Sequence, residues 1–209
     1  MMPYETIDIK DQLPVHKTKR WKRRKKIKRI IIHTTGSDNQ SPFKTARYHI
    51  NAPNHISKTG CAGLCYHDYI VKAGEVYLCN DYWLSTWHVG SWNKTSIGVV
   101  MAFDGDNEAP GALQYAVMLE HVTNLCLQFK VLPKMVRGHR EAPGMVTLLG
   151  KGSKKYKSVC PGMAINLDIM RDHITKNVQS ALAAEGLYDG EIDGLFGKKS
   201  LKAWELYYV

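Results

Sequence analysis

The stretch IKRIIIHTTGS, residues 27–37, decides the fold. The segment from Ile27 to Ile32 reads as a buried strand, and His33 stands where that strand ends, just before Thr34-Thr35-Gly36-Ser37 turn the chain. Working outward, residues 66–71 and 75–79 flank Ala73-Gly74 and predict a β-hairpin with a tight turn. Residues 96–103, SIGVVMAF, are almost wholly apolar, which fits a strand covered on both faces. Tyr115, Met118, Val122, Leu125, Cys126 and Phe129 recur at steps of three and four, so residues 112–130 predict an amphipathic helix. Pro133 closes that region, and Met135-Val136 begin a short strand running into Arg137-Gly138-His139. A second helical period, Ile165, Ile169, Met170, Ile174, Val178 and Leu182, extends to a cap at Gly186. Strands interleaved with helices predict a mixed α/β sandwich.

With 209 residues the chain can bury one core of roughly 150 residues and carry a small appendage. No apolar run approaches the ~20 residues of a membrane span. The first residues, MMPYETIDIKDQLP, lack the basic start and apolar stretch of a secretory signal, so synthesis in a cytoplasm and release by another route are expected. Cys61, Cys65, Cys79, Cys126 and Cys160 are odd in number and irregular in spacing, which argues against a disulfide framework. The net charge of +10 is concentrated at one end, in KTKRWKRRKKIKR (residues 17–29). Residues 1–26 therefore read as a basic arm. One account is a solvated, partly disordered tail. The other is attraction to a polyanion such as an anionic envelope polymer. Nucleic acid is not expected, because Trp21 alone is too little aromatic surface for such a site.

Three residues carry a possible metal chemistry. His33 and His139 each follow a strand, and Cys160 precedes the Pro161-Gly162 turn. Two imidazoles and a thiolate suit zinc and leave a fourth position open for water. The residues alone favour the plainer reading of two polar or core histidines and a buried cysteine.

The surrounding segments decide between these. RIIIHTTGS, ARYHI, GLCYHDYIVKAGEVY, STWHVGSWNKTSIGVV, RGHREAPG and CPGM follow in this order. The series resembles the type 2 N-acetylmuramoyl-L-alanine amidases, which include phage endolysins, wall-recycling amidases and animal peptidoglycan recognition proteins. The resemblance spans residues 27–175. It implies a central mixed β-sheet flanked by helices, with zinc in a groove on His33, His139 and Cys160. It implies hydrolysis of the amide between N-acetylmuramic acid and L-alanine in peptidoglycan, as an endolysin acting on the cell wall. Tyr66 matches a tyrosine beside the metal, able to hydrogen-bond the attacking water or the oxyanion. His88 matches a groove histidine that donates to the substrate carbonyl or positions the peptide. Trp87 and Trp92 are candidate groove-lining residues. Tyr48, His49 and His67 match positions that look structural.

Two departures stand out. Many relatives carry a lysine two residues before the third ligand, where this chain has Ser158, a hydroxyl that can hydrogen-bond in the groove but supplies no charge. Recycling-type relatives place a glutamate in the strand after SIG, where Val99-Val100-Met101 stand here. At the other end, Gly186-Leu187-Tyr188, Ile192-Asp193-Gly194, Phe196-Gly197 and Ala203-Trp204 resemble the first part of a peptidoglycan-binding repeat. Residues 176–209 are thus expected to form a truncated module, a small helical appendage packed on the amidase domain. A wall-recycling amidase acting on soluble muropeptides and a non-catalytic peptidoglycan-binding protein are the competing functions. Non-catalytic relatives have generally lost the cysteine ligand that Cys160 supplies here.

Overall fold

The computed structural model describes residues 4–38, 40–149 and 153–209; the first three residues of the expected arm lie outside it. In chain order the elements are β1 (Thr6–Asp8), β2 (Lys22–Arg23), β3 (Arg29–Thr34), α1 (Pro42–Ile50), β4 (Asp68–Ile70), β5 (Val76–Leu78), β6 (Leu84–Ser85) and β7 (Ser96–Met101). There follow α2 (Ala112–Phe129), β8 (Val136–Gly138), β9 (Val146–Leu149), β10 (Ser153–Tyr156), α3 (Leu167–Ala184) and α4 (Lys198–Leu206). Six strands form one sheet in the order β1-β5-β4-β7-β3-β8. All its pairs are parallel except the β4–β5 hairpin, which makes the sheet mixed as expected. That hairpin is shorter than the sequence suggests, and Tyr66 lies ahead of β4 instead of inside it.

The alternation of side chains along a strand divides the sheet into two faces. Ile30 and Ile32 of β3 join Ile97, Val99 and Met101 of β7 in the main apolar cluster. Helices α2 and α3 cover that face with Met118, Val122 and Leu125, and with Met170, Ile174 and Val178. Each such fully buried side chain contributes about 1.5–3 kcal/mol. Ile31 and His33 fall on the opposite face. There a second cluster gathers Tyr69, Val100, Leu64 and Ala46 of α1. Helix α1 has no counterpart in the apolar periodicity, yet its start is well specified. Pro42 occupies the first turn, and the Ser41 side chain accepts from the Lys44 amide at 3.2 Å.

The basic segment is not a free tail. β1 extends the sheet beside β5, β2 pairs antiparallel with β6, and Ile9 and Leu13 are buried in the second cluster. Arg24 is buried, and its guanidinium donates to the Ser96 and Leu84 carbonyls. The Lys19 ammonium is held by the Thr59 hydroxyl at 2.8 Å and the Gly60 carbonyl at 2.6 Å. The solvated-tail account fails because charge density says nothing of the apolar anchors and carbonyl partners that fix the segment.

At the other end, α3 stops before Gly186 (φ 72°), and the chain returns through α4. Ala203 and Trp204 of α4 enter the main cluster. Gln179 of α3 holds the intervening turns. Its side-chain amide nitrogen reaches Asp193 Oδ1 at 3.0 Å and the Leu195 carbonyl at 3.1 Å, and its oxygen accepts from the Gly194 amide at 3.0 Å. Among the described residues no helix is long and apolar enough to cross a membrane.

Candidate metal centre and groove

β3 and β8 are parallel neighbours in register, Ile32 opposite Gly138, so His33 and His139 emerge at the same edge of the sheet. Their ring centroids lie 4.8 Å apart. Cys160 comes from the loop ahead of α3, and Arg140, the residue after His139, fixes that loop. The Arg140 amide donates to the Cys160 carbonyl at 2.9 Å. Its buried guanidinium donates to the Val159, Gly162 and Ile165 carbonyls at 3.2, 2.7 and 2.6 Å. Gly162 (φ 107°) lies so close to Gly105 that a Cβ on it would sit 2.5 Å from the Gly105 oxygen. The sequence names the candidate ligands, but this clamp is visible only in three dimensions.

One ligand atom each from His33, His139 and Cys160 can be taken so that all lie within 4.8 Å of one another. His33 Nδ1 to Cys160 Sγ is 3.6 Å, close to the edge of about 3.5 Å in a tetrahedron with Zn–N and Zn–S bonds of ordinary length. The donor set therefore fits a metal ion. Burial holds all three groups in their neutral forms: His33 well below its usual range, His139 near about 4, and the Cys160 thiol up to about 12. Neutral imidazoles are the form that ligates, and a cation would draw the proton from the thiol.

A relay of hydrogen bonds sets the tautomer of His33. His88 Nε2 lies 3.3 Å from the Ser96 carbonyl, an acceptor only, so that nitrogen carries the proton. His88 Nδ1 is then an acceptor, and His33 Nε2, 2.9 Å away, donates to it. The lone pair of His33 is thereby left on Nδ1, facing Cys160. The expectation that His88 donates to a substrate carbonyl does not agree with this arrangement, since both its ring nitrogens are already engaged. The backbone around it is fixed by Asn93, whose oxygen accepts from the His88 and Val89 amides at 3.0 and 2.7 Å. Gly98 of β7 lies beneath the ring: a Cβ there would meet His88 Nδ1 at 2.8 Å.

A groove of about 570 Å³ runs over this centre, lined by Tyr66, Trp87, His88, His139, Ser158 and Cys160 among others. A second hollow of about 330 Å³ adjoins it and shares Thr34, His55 and Tyr66. The Tyr66 ring lies 5.0 Å from that of His33, and its hydroxyl makes no hydrogen bond to another described residue. Burial, and then Cys160, push its pKa well above the ordinary value, so the phenol keeps its proton and remains a donor. Ser158 Oγ accepts from the Cys160 amide at 3.2 Å, so its hydroxyl shapes the ligand loop as well as facing the groove. Trp87 lines the groove and is 43% exposed. Trp92 does not line it. That ring packs with Ile31, Val89 and Ala142 beneath the Arg29 guanidinium, 4.3 Å from the ring centroid. The cation over its face and the apolar neighbours account for its placement.

Residues 23–162 match the N-acetylmuramoyl-L-alanine amidase family (Amidase_2). A search of curated proteins finds no match. Among solved structures, the fold is similar to the N-acetylmuramoyl-L-alanine amidase LysC from Clostridium intestinale URNW, with TM-score 0.63 and 16% identity over 81% of this chain and 96% of that one. It is similar to the Ph2119 endolysin from the Thermus scotoductus MAT2119 bacteriophage Ph2119, with TM-score 0.60 and 15% identity over 81% and 98%. Peptidoglycan recognition protein LE in complex with tracheal cytotoxin, a monomeric diaminopimelic acid-type peptidoglycan, gives TM-score 0.61 and 13% identity over 78% and 91%. At such identities the likeness is one of fold. The family match covers most of the chain and spans all three candidate ligands: the chain belongs to the N-acetylmuramoyl-L-alanine amidase family and is an amidase of that class.

Proposed function

We propose that the chain is a zinc-dependent, endolysin-type enzyme that cleaves the lactyl amide between N-acetylmuramic acid and L-alanine in intact peptidoglycan. The observation that carries this reading is the convergence of the buried His33 with His139 and Cys160, which line the groove, with His88 turning the His33 lone pair toward Cys160. Bound there, zinc supplies Lewis-acid activation of water and of the scissile carbonyl. Tyr66 supplies a protonated, unengaged hydroxyl beside the reacting atoms and donates to the oxygen on which charge develops. Trp87 gives an exposed apolar face for the glycan or peptide at the groove wall. Ser158 holds the Cys160 amide, and Arg140 holds the loop. In this reading residues 27–175 perform the hydrolysis. Residues 176–209, with Ile192 and Leu195 49% and 70% exposed, give the wall a second contact.

The presence of a thiol in the ligand cluster favours a hydrolase over a purely binding protein. The test is incubation of purified sacculi and of a soluble muropeptide with the zinc-loaded chain, with mass analysis of the products. Free stem peptides released from sacculi, abolished by chelation and by Cys160→Ala, are expected. Release from soluble muropeptide alone would make it a recycling enzyme, and binding without release would make it a recognition protein.

A further inference from the structure

A cavity of about 890 Å³ lies beside the groove over the candidate metal centre. Its wall includes Lys22, Lys25, Lys26, Lys28 and Lys94, and among the described residues no Asp or Glu lines it. All five lysines are exposed, and none has an ion-pair or side-chain hydrogen-bond partner among the described residues. Trp87, Gly90 and Asn93 line both this cavity and the groove, so the two are continuous. At the junction Trp87 meets Trp21 edge to face, with ring centroids 5.6 Å apart.

Like charges held this close repel, and a loose tail would let them spread. Here the fold prevents it. Arg24, buried between the Ser96 and Leu84 carbonyls, and the β2–β6 pairing fix the segment against the groove wall. A cavity rich in cations, empty of carboxylates and immobilised by a buried anchor is built for a ligand with several negative charges. Arg20 and Arg23 line the cavity as well, so guanidinium forks and lysine point charges, both suited to phosphate oxygens, are gathered on one wall. The tryptophan pair adds an apolar face on which a sugar ring can lie.

We propose that this cavity is a subsite for a phosphodiester-linked wall glycopolymer carried on the glycan strand, so that the enzyme engages its substrate where the strand bears that polymer. The proposal rests on reading the adjoining groove as the peptidoglycan site. A polymer attached to the strand would arrive together with it, which favours this occupant over free nucleic acid.

The experiment compares the wild-type zinc enzyme with Lys22→Gln/Lys25→Gln/Lys26→Gln on two walls, one bearing poly(glycerol phosphate) and one stripped of it by phosphodiester cleavage. Binding of soluble poly(glycerol phosphate) is measured in parallel. The wild type should bind the soluble polymer about 10-fold more tightly than the triple variant at low salt, with the gap closing as salt rises. Its rate ratio between the bearing and stripped walls should fall toward unity in the variant and in Trp87→Ala. Equal polymer binding by wild type and triple variant overturns the subsite, while stem release from both walls would leave the amidase reading intact. Polymer binding that depends on the lysines, with no stem release from either wall, supports the subsite and overturns the amidase reading instead. Tighter binding of a single-stranded oligonucleotide with the same number of phosphates overturns the choice of occupant.

Discussion

His88 Nδ1 accepts a hydrogen bond from His33 Nε2 at 2.9 Å, and this contact decides which nitrogen of His33 can hold a metal. Outer partners of this kind are typically worth about 10- to 100-fold in metal affinity. His88→Ala should weaken zinc binding on that scale, measured by competition with a chromophoric chelator. His88→Gln, which can accept from His33 and donate to Ser96, should recover most of the loss. Unchanged affinity in His88→Ala would remove the relay from the account.

Gly98 provides an independent test of the same geometry. A methyl group there would sit 2.8 Å from His88 Nδ1 and displace the ring. Gly98→Ala should therefore lose zinc affinity by about the same factor as His88→Ala while keeping its circular dichroism spectrum. Adding Gly98→Ala to His88→Ala should cost little more, because the ring it displaces is already gone. Additive losses would point to a different role for the glycine.

Tyr66→Phe should retain zinc and fold but turn over about 10- to 1000-fold more slowly, the usual scale of one hydrogen bond to developing charge. The loss should fall on kcat more than on KM, because the hydroxyl is needed most in the transition state. Full activity on sacculi would make Tyr66 a packing residue of the second apolar cluster.

Much of the scaffold is legible because β3 and β7 carry unbroken apolar runs and α2 and α3 repeat their apolar period over several turns. Helix α1 escapes because its buried face is little more than Thr45, Ala46 and His49, too weak a period to stand out. The candidate metal ligands are visible through the segments around them. What they need in order to work is not: His88 and His33 are 55 positions apart, and their shared proton exists only once β3 and β7 lie side by side. Trp92 shows the same limit in reverse. An aromatic residue in a groove-forming segment is as easily turned to Arg29 and Ala142 as to the groove.

Trp204 extends the argument to the C-terminal segment, where a small helix shares the main core instead of holding one of its own. Trp204→Ala should cost about 3–5 kcal/mol, as for other buried aromatic truncations. Melting of the whole chain should fall by about 10 °C in a single transition. A separate low-temperature transition with the main melt unmoved would show that α4 folds independently.

The strand order leaves β1 and β8 as the two margins of the sheet. Each is three residues long. Unpaired backbone at a sheet margin is a template on which a second chain can add a strand, and its hazard grows with length and flatness. Neither margin offers a run long enough to seed such stacking. A protein of this build can therefore be stored at high local concentration with little tendency to polymerise through its sheet.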